Sequence, residues 1–249
     1  MSDLKVGSFN IKNNGLDKIN KKKLDKLSDF LEQEDFDILG LQELTYCSSQ
    51  LLKNNETYKF YGSYRYGELL SRMPYNENNG ILIKDNGIRK DTIHLPFIPS
   101  TFNDLKTSIV KASIMPRIAV VLIVELEDKR RVCVINTHLD YQLESVQLRQ
   151  LKVIKDLVQK YKTKYPVILT GDFNMDMDVS YFSNFVNELK DLNTQRVVIN
   201  EATWKSKSGS EKKLDHIFIP NNWIVEDAGI IDTKEISDHN AVYVKTKMK

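Results

Sequence analysis

The sequence predicts an α+β protein in which two β-sheets pack face to face and helices cover their outer faces. Two observations lead to this prediction: strand-like apolar runs outnumber helical segments, and the helices interrupt them at irregular intervals. A doubly wound sheet or an eight-stranded barrel would instead place a helix after each strand. The length of 249 residues suits one sizeable core. We therefore expect a single domain over residues 1–249.

Strands are expected where short apolar runs are bounded by turn-forming residues. Eight such runs are Leu4–Phe9, Asp37–Leu41, Gly80–Ile83, Ile118–Glu125, Arg131–Asn136, Val167–Thr170, His216–Ile219 and Ala241–Lys245. Amphipathic spacing predicts helices over Lys18–Glu34, Leu143–Lys160 and Tyr181–Leu189. Asp178 and Ser180 are candidate caps of the last helix. The polar stretches Leu70–Asn79 and Lys205–Lys213 are expected to form loops.

Composition and charge narrow the class of protein. The hydrophobic fraction is 41% and the net charge is +2, so neither a disordered chain nor a strongly basic nucleic-acid binder is indicated. Cys47 and Cys133 lie far apart and lack zinc-site spacing, which favours reduced thiols. The start of the chain does not resemble a signal peptide, and no apolar run approaches the ~20 residues of a membrane span. We expect a cytoplasmic monomer.

Residues typical of hydrolytic sites cluster at the ends of the predicted strands. Three of the four histidines lie near an aspartate, in Asn136-Thr-His-Leu-Asp140, Asp215-His216 and Asp238-His239. Asp172 and Asn174 follow another strand, two residues apart and so on one side of an extended chain. Glu43 and Asn10 end two more strands. Carboxylate and amide oxygens are the ligands that Mg²⁺ and Mn²⁺ prefer, so the pattern indicates a site for a hard divalent cation.

Taken together, these segments resemble the endonuclease/exonuclease/phosphatase superfamily, also called the deoxyribonuclease-I-like fold. Six segments occur in family order: the strand ending at Asn10, Gln42-Glu43, Asn136-Thr-His138, Gly171-Asp-Phe-Asn174, Leu214-Asp-His-Ile-Phe218 and Ser237-Asp-His239. Each is short, but their joint order is specific and spans nearly the whole chain. The region from Asn136 through Arg149 to Asn174 is most similar to a bacterial branch that distantly resembles the deadenylases.

The resemblance implies a four-layered α/β/β/α sandwich of two mainly antiparallel sheets, with a metal-dependent phosphoesterase site in a cleft at one sheet edge. Glu43 would be the principal ligand of Mg²⁺, for which Mn²⁺ can substitute. Asn10 and Asp238 would lie close to the metal. Asp172 and Asn174 would position or activate the attacking water.

The resemblance also implies roles for the histidines. His239 would act as general base or phosphate contact, held in its tautomer by Asp215, and His138 would hydrogen-bond the scissile phosphate. Arg117 and Arg149 are candidate phosphate ligands because guanidinium pairs with phosphate oxygens in a bidentate way. Arg149 lies on a predicted amphipathic helix, where a solvated charge is the more common explanation.

Other residues receive weaker interpretations. His216 alternates with Asp215 along a strand, so we expect it on the opposite face, as a structural or cleft-wall residue rather than a catalyst. His94 is expected at the surface, and Asp140 is expected to support His138. Trp204 fits either stacking on a base or a place in the core. Lys12 stands where many apurinic endonucleases carry a second acid, which disfavours that activity.

Three functions remain open at this point. The leading interpretation is metal-dependent hydrolysis of nucleic-acid phosphodiesters by an activated water. The near-neutral charge motivates a second interpretation, a phosphatase or phosphodiesterase of small phosphate esters, phosphoinositides or lipid headgroups. The third is a catalytically silent interaction module. The loops expected to set specificity are Tyr61–Asn79, His94–Lys106 and Lys205–Lys213.

Overall fold

The computed structural model describes residues 3–13, 21–97 and 115–249. The strands in these ranges are β1 Asp3–Asn10, β2 Ile38–Leu44, β3 Lys59–Tyr64, β4 Asn78–Ile83, β5 Asn86–Leu95, β6 Arg117–Glu125, β7 Arg131–His138, β8 Val167–Asp172, β9 Thr194–Arg196, β10 Trp204–Lys205, β11 Glu211–Lys212, β12 Asp215–Pro220, β13 Ile224–Ile231 and β14 Ala241–Lys247. The helices are α1 Lys21–Glu34, α2 Tyr46–Lys53, α3 Glu144–Tyr161 and α4 Ser180–Asp191, with a 3₁₀ turn at Glu68–Leu70.

Two six-stranded sheets form the centre of the fold. The first has the strand order β13-β14-β1-β2-β4-β3 and the second has the order β5-β6-β7-β8-β12-β9. Neighbouring strands are antiparallel except for the parallel pairs β1/β2 and β7/β8. The prediction of two mainly antiparallel sheets is therefore confirmed. Strands β10 and β11 form a separate two-stranded hairpin.

Buried apolar residues form three layers of core, as a four-layered sandwich requires. Between the sheets, inward-facing side chains such as Val6, Val120 and Ile217 pack together. A second cluster lies under α3 and α4 on the outer face of the second sheet, and a third lies under α1 and α2 on the outer face of the first. The two central sheets are consequently buried on both faces, and this explains their nearly continuous apolar runs.

The eight predicted strands all occur, with ends shifted by a few residues. The strands missed from the sequence include β5 and β13, which are largely exposed and carry many polar residues. An alternating apolar pattern arises when one face of a strand is buried. These strands bury little of either face, so their sequences do not show it.

The three predicted helices are present, although residues 18–20 of the first prediction lie outside the described residues. The proposed caps of α4 are wrong, because its cap position is Val179 and has no side-chain hydrogen bond. Helix α2 was missed, since its eight residues hold few apolar side chains. Its start is stabilised by a capping box in which Thr45 and Ser48 bond each other's backbone.

The two parallel pairs determine where the site forms. Strands β1 and β2 both end at one edge of the first sheet, and β7 and β8 both end at one edge of the second. Strand β12 runs antiparallel to β8, with Asp215 opposite Asp172. Strand β14 begins beside the end of β1, with Val242 opposite Ser8. The six motif segments therefore meet at one edge, although they are spread over the whole chain.

A buried polar joint fastens the sheets near this edge. The side-chain oxygen of Asn136 accepts from Gln42 Nε2 at 2.7 Å and from Thr170 Oγ1 at 3.1 Å. Its amide nitrogen donates across the interface to the carbonyls of Leu41 and Gly80, each at 2.9 Å. Asn136, the first residue of the Asn-Thr-His segment, therefore aligns the two sheets, and β7 carries His138 from that aligned position.

Among the described residues, no helix is long and apolar enough to cross a membrane. Cys133 is buried and Cys47 is partly buried, and both are free thiols. Burial raises the pKa of the Cys133 thiol, so it stays protonated and inert.

Candidate active site

An open cleft of about 490 Å³ lies at the edge where the motif segments meet. Its lining includes seven of the predicted site residues, Glu43, Arg117, His138, Asp172, Asn174, Asp238 and His239. Asn10 lies beneath its floor and is fully buried. The cleft also contains residues that the motifs did not identify, among them Lys12, Arg65, Glu77 and Tyr75.

Asn10 joins the two carboxylates at the floor of the cleft. Its amide nitrogen donates to Glu43 Oε1 and to Asp172 Oδ2, each at 2.9 Å. Its side-chain oxygen accepts from the backbone nitrogen of Lys12 at 2.9 Å. Glu43 is further held by the backbone nitrogen of Asn13, which donates to Oε2 at 2.8 Å. Asn10 thus keeps two carboxylates, one from each sheet, at hydrogen-bond distance from one amide group.

Three residues around the cleft have left-handed backbone conformations. Glu43, Asn174 and Lys12 each have φ of 55°. Such values are uncommon outside glycine, and for Glu43 and Lys12 they store backbone strain. At Glu43 the turn coincides with an irregularity in the β2/β4 register between Leu41 and Leu44. This bulge directs the Glu43 side chain into the cleft rather than along the face of the sheet.

Asp172 and Asn174 form a compact turn after β8. Asp172 Oδ1 accepts from the backbone nitrogen of Asn174 at 2.9 Å, and Asn174 Nδ2 donates to the Leu139 carbonyl at 3.1 Å. The preceding Gly171 has φ of 158°, and a Cβ there would lie 2.3 Å from the Thr137 carbonyl oxygen. Only glycine therefore lets β8 approach β7 closely enough to bring Asp172 near His138.

His239, Asp215 and Thr203 form a buried chain on one side of Asp172. His239 Nδ1 lies 2.8 Å from Asp215 Oδ2, which also accepts from Thr203 Oγ1 at 2.6 Å. The ring's other nitrogen, Nε2, lies 3.8 Å from Asp172 Oδ2. Thr203 also accepts from the backbone nitrogens of Leu214 and Asp215. The sequence motifs do not include Thr203, whose only signal along the chain is its position beside Trp204.

The surroundings of Asp172 and His239 raise the pKa values of both side chains. Burial, together with the nearby charge of Asp215, raises the pKa of Asp172 to about 7. Burial by itself would lower the pKa of His239, but the carboxylates of Asp215 and Asp172 outweigh it and raise that pKa to about 10. His239 is therefore a cation at neutral pH, and Asp172 exchanges its proton there.

His138 lies on the other side of Asp172 and has the opposite charge state. Its Nε2 is 3.6 Å from Asp172 Oδ2 and 4.0 Å from Glu43 Oε1. Arg117 Nη1 lies 3.0 Å from His138 Nδ1. Burial, followed by the positive charges of Arg117 and Arg65, lowers the pKa of His138 well below its ordinary value. His138 is therefore a neutral imidazole at physiological pH.

A buried ion pair supports the Arg117 side of the cleft. Arg65 Nη1 lies 3.0 Å from Glu77 Oε2, while its Nε and Nη2 donate to the Tyr75 carbonyl at 2.8 and 2.6 Å. Burial lowers the pKa of Arg65 and raises that of Glu77. Sequence reasoning missed this pair because Arg65 and Glu77 both lie within Tyr61–Asn79, which the sequence predicts to be a variable loop rather than part of the site.

Asp238 lies in the cleft wall but outside the two groups of potential metal ligands in the described residues, which are Glu43/His138/Asp172 and Asp172/Asp215/His239. Its Oδ2 contacts Lys12 Nζ and accepts from Trp204 Nε1 at 3.3 Å. Lys12 thus pairs with one of the acids predicted to lie near the metal. Trp204 is half-buried and lies at the cleft rim.

Four further residues considered in the sequence analysis do not line the cleft: Arg149, His94, His216 and Asp140. Arg149 lies on α3 and is not part of the cleft lining. His94 is exposed, as expected. His216 is buried on the opposite face from Asp215, with Nε2 2.9 Å from the Met175 carbonyl, so its structural role is confirmed. Asp140 does not support His138, because its carboxylate accepts from the Gln142 and Leu143 backbone nitrogens at the start of α3.

The cleft fits a hard divalent cation. The ligand atoms of Glu43, His138 and Asp172 all lie within 4.8 Å of one another. Two carboxylates beside an open cleft match the preference of Mg²⁺ for a few protein oxygens and several waters. Asn10 contacts both carboxylates through its amide nitrogen, and its side-chain oxygen accepts from the backbone nitrogen of Lys12.

Comparison with known proteins places these features in context. Residues 7–239 match the family described as "Endonuclease/Exonuclease/phosphatase family". An endonuclease/exonuclease/phosphatase from Bacteroides vulgatus is 18% identical, with a TM-score of 0.79 and full coverage of both chains. No curated protein matches the sequence.

Two further solved structures share the fold. The Bacteroides thetaiotaomicron mannosyl-6-phosphatase Bt3783 is 19% identical with a TM-score of 0.75, covering 98% of this chain and 100% of that one. D. rerio TDP2, in complex with a single-strand DNA product, is 18% identical with a TM-score of 0.69 and full coverage of both chains. These likenesses establish the four-layered fold.

Proposed function

The chain belongs to the endonuclease/exonuclease/phosphatase family, and from that premise we propose that it is a metal-dependent phosphodiesterase. The leading candidate substrate is nucleic acid, whose phosphodiester bonds would be hydrolysed by attack of an activated water. Family membership supports phosphoester hydrolysis in general. The choice of a phosphodiester and of nucleic acid comes from the sequence motifs, and the cleft adds arguments for it.

One observation carries the proposal. Asp172 lies between a cationic histidine and a neutral histidine, whose Nε2 atoms are 3.8 Å and 3.6 Å from the same carboxylate oxygen. Groups whose pKa values are driven apart by their surroundings are typical of hydrolytic sites that must accept one proton and donate others. A structural ion-pair cluster would have no need of an open cleft above it.

Each residue then has a distinct task. Asp172 accepts the proton of the attacking water, while Asn174 orients that water. His239 stays protonated through Asp215 and donates to a phosphate oxygen. His138 donates from Nε2 to another oxygen as negative charge develops there. In this assignment the general base is Asp172, and His239 takes the phosphate-contact role of the two that the resemblance allowed.

Glu43 would hold the divalent cation beside Asp172, and the cation when bound would supply charge that polarises the phosphoryl group. Arg117 lies beside His138 with its Nε buried and without a hydrogen-bond partner among the described residues. We propose that its guanidinium also faces substrate phosphate. Arg149 has no place in this assignment, because it does not line the cleft.

Aromatic side chains at the rim support a nucleic-acid substrate. Trp204, Tyr75 and Tyr141 line the cleft, and such rings stack on bases without regard to sequence. A second candidate is the phosphodiester of a lipid headgroup. It is favoured by a group of exposed apolar residues, Tyr66, Leu69, Leu70, Met73 and Tyr75, next to the same cleft.

The test is hydrolysis of bis(p-nitrophenyl) phosphate, single-stranded RNA, single-stranded and duplex DNA, inositol phosphates and phospholipids with Mg²⁺ or Mn²⁺. The variants His239→Ala and Glu43→Gln should each hydrolyse the substrate more than about a hundredfold more slowly than the wild type. Full activity in both variants would refute the mechanism. Turnover of small monoesters alone would refute the phosphodiesterase assignment.

The silent-module interpretation makes a different prediction. A protein that has lost catalysis needs no cation, so calorimetry would detect no binding of Mg²⁺ or Mn²⁺. We expect binding in the wild type and its loss in Glu43→Gln. Absence of binding in the wild type would favour the interaction module.

A further inference from the structure

The loop between β3 and β4 exposes an unusual concentration of apolar side chains. Of the eleven large hydrophobic residues exposed in the described part of the chain, five lie within the ten residues 66–75. We call this segment the apolar loop; its exposed members are Tyr66, Leu69, Leu70, Met73 and Tyr75. Their exposure runs from 42% at Tyr66 to 100% at Leu69. Isolated exposed hydrophobics are ordinary, but a group of this kind marks a surface that contacts something apolar.

The base of the apolar loop is held by buried polar contacts. Arg65 donates twice to the Tyr75 carbonyl, and its backbone nitrogen donates to the Glu77 carbonyl at 3.0 Å. Asn76, which is buried, accepts from the Tyr66 backbone nitrogen at 2.8 Å and donates to the Gly67 carbonyl at 2.9 Å. The loop is therefore closed at its neck by ordered bonds, and these hold the apolar side chains away from the core.

The arrangement of side chains indicates the partner. Leu69, Leu70 and Met73 occupy the tip, whereas Tyr66 and Tyr75 lie beside the bonded neck. Aliphatic side chains in the middle of the loop and tyrosines at its neck match the order from acyl chains to headgroups at a membrane surface, where tyrosine is favoured. A nucleic-acid partner would favour aromatic rings that stack on bases. The leucine and methionine side chains of the loop contribute nothing to such stacking.

The apolar loop lies beside the cleft, so docking through this loop would bring the cleft to the membrane surface. Tyr75 belongs both to the apolar loop and to the cleft lining, and Arg65, which binds its carbonyl, lines the same cleft. If the tip enters the acyl region, the tyrosines and the mouth of the cleft lie at the depth of the headgroup phosphates.

We infer that the apolar loop docks the protein on a phospholipid surface, with Leu69, Leu70 and Met73 inserted and the cleft mouth facing lipid phosphodiesters. Docking itself depends only on the loop. The identity of the lipid phosphodiester as substrate rests on the second candidate of the proposed function.

Vesicle binding tests the docking directly. The wild type and the double variant Leu69→Gln/Leu70→Gln are floated with phosphatidylcholine vesicles, which carry no net charge and so exclude simple electrostatic attraction. Leu148→Gln is the matched control, because Leu148 on α3 is 43% exposed and Leu70 is 44% exposed. We expect the wild type and Leu148→Gln to bind equally, and each leucine removed from the loop to weaken binding roughly tenfold.

Hydrolysis of the soluble bis(p-nitrophenyl) phosphate is measured on the same three proteins and should be equal in all. A wild type that hydrolyses this substrate but does not bind vesicles overturns the docking inference and leaves the proposed function standing. Equal vesicle binding by the wild type and the double variant also overturns it. A third result would also overturn the docking inference: a wild type that is dimeric on size-exclusion chromatography and a double variant that is monomeric. The apolar loop would then be an interface with a second copy of the chain. Vesicle binding without any hydrolysis supports docking and refutes the proposed function.

Discussion

Arg117 Nη1 lies 3.0 Å from His138 Nδ1, and this contact determines which nitrogen of the imidazole carries the proton. Arginine can only donate, so Nδ1 must accept and Nε2 must be protonated. The Nε2–H bond of His138 is then available to an acceptor near Asp172 and Glu43. At His239 the partner is instead an acid, Asp215, which holds the proton on Nδ1.

Replacing Arg117 by Met should lower kcat by about tenfold to a hundredfold, because His138 would lose the donor that fixes its tautomer. Arg117→Lys should retain part of the activity, since it keeps a charged donor. The ring ¹⁵N shifts of His138 report the tautomer directly. Arg130→Met, at the exposed β6–β7 turn, is the control. An effect confined to KM, with an unchanged tautomer, would contradict the positioning role.

Asp215→Asn should reduce kcat on the order of a thousandfold, because an amide neither stabilises the His239 cation nor selects the same tautomer. Thr203→Val removes one bond to the same carboxylate and should cost about tenfold. Steady-state kinetics with saturating Mg²⁺ measure both effects. Asp156→Asn, exposed on α3, should be silent. Equal rates for Asp215→Asn and the wild type would show that the His239–Asp215 pair is structural only.

Cation binding should release protons at pH 6 and almost none at pH 8.5. The raised pKa of Asp172, about 7, means that the metal-free carboxyl is mostly protonated at the lower pH and ionised at the higher one. Calorimetry of Mn²⁺ binding in buffers of different ionisation enthalpy counts the protons. Asp172→Asn should bind more weakly and release none from this position. Heats at pH 6 that do not depend on the buffer would contradict the raised pKa.

The stability of the fold should fall between pH 6.5 and pH 4 through His216. Burial lowers its folded-state pKa to about 4, below the unfolded value of 6.5. The unfolded state therefore binds more protons in this range, and stability present above pH 6.5 is lost as the pH falls through 4. The full shift corresponds to on the order of 3 kcal/mol. Urea denaturation of the wild type and His216→Phe should diverge in pH dependence there; parallel curves would refute the assignment.

Gly40→Ala should destabilise the protein by about 1–3 kcal/mol, because it overpacks the joint between the sheets. A Cβ at this position would lie 2.2 Å from Thr170 Oγ1 and 2.5 Å from Asn136 Oδ1. Gly229→Ala is the matched strand control, since its Cβ would meet nothing closer than 3.5 Å. Thermal and urea unfolding measure the difference. Equal stability of the two variants would mean that the joint adapts without cost.

The outline of the fold was accessible from the sequence for a physical reason. Strands buried on one or both faces impose apolar runs, and all eight runs of this kind became strands. Exposed edge strands such as β5 and β13 impose no such pattern, and they were missed. The short helix α2 was missed because local capping by Thr45 defines its start better than amphipathic spacing does.

The candidate site was predictable in its residue types and only partly in its contacts. Glu43 and Asp172 lie at the ends of buried strands and His239 precedes one, so their common edge followed from the family order of the segments. Nothing along the chain indicated that Lys12 pairs with Asp238. In the same way, Asp140 shares a face with His138 in the sequence pattern, but it binds the start of α3 instead.

The sequence by itself determined which side chains stand at strand ends, because periodic burial is a local property that each segment carries. Tertiary structure alone decided which of these side chains meet: Arg117 with His138, Thr203 with Asp215, and Asn10 with both Glu43 and Asp172. These pairs join different segments, and the Asn10–Asp172 pair joins the two sheets, so their distances depend on sheet packing and register. The charge states of the two histidines follow from those distances, and no spacing along the chain contains them.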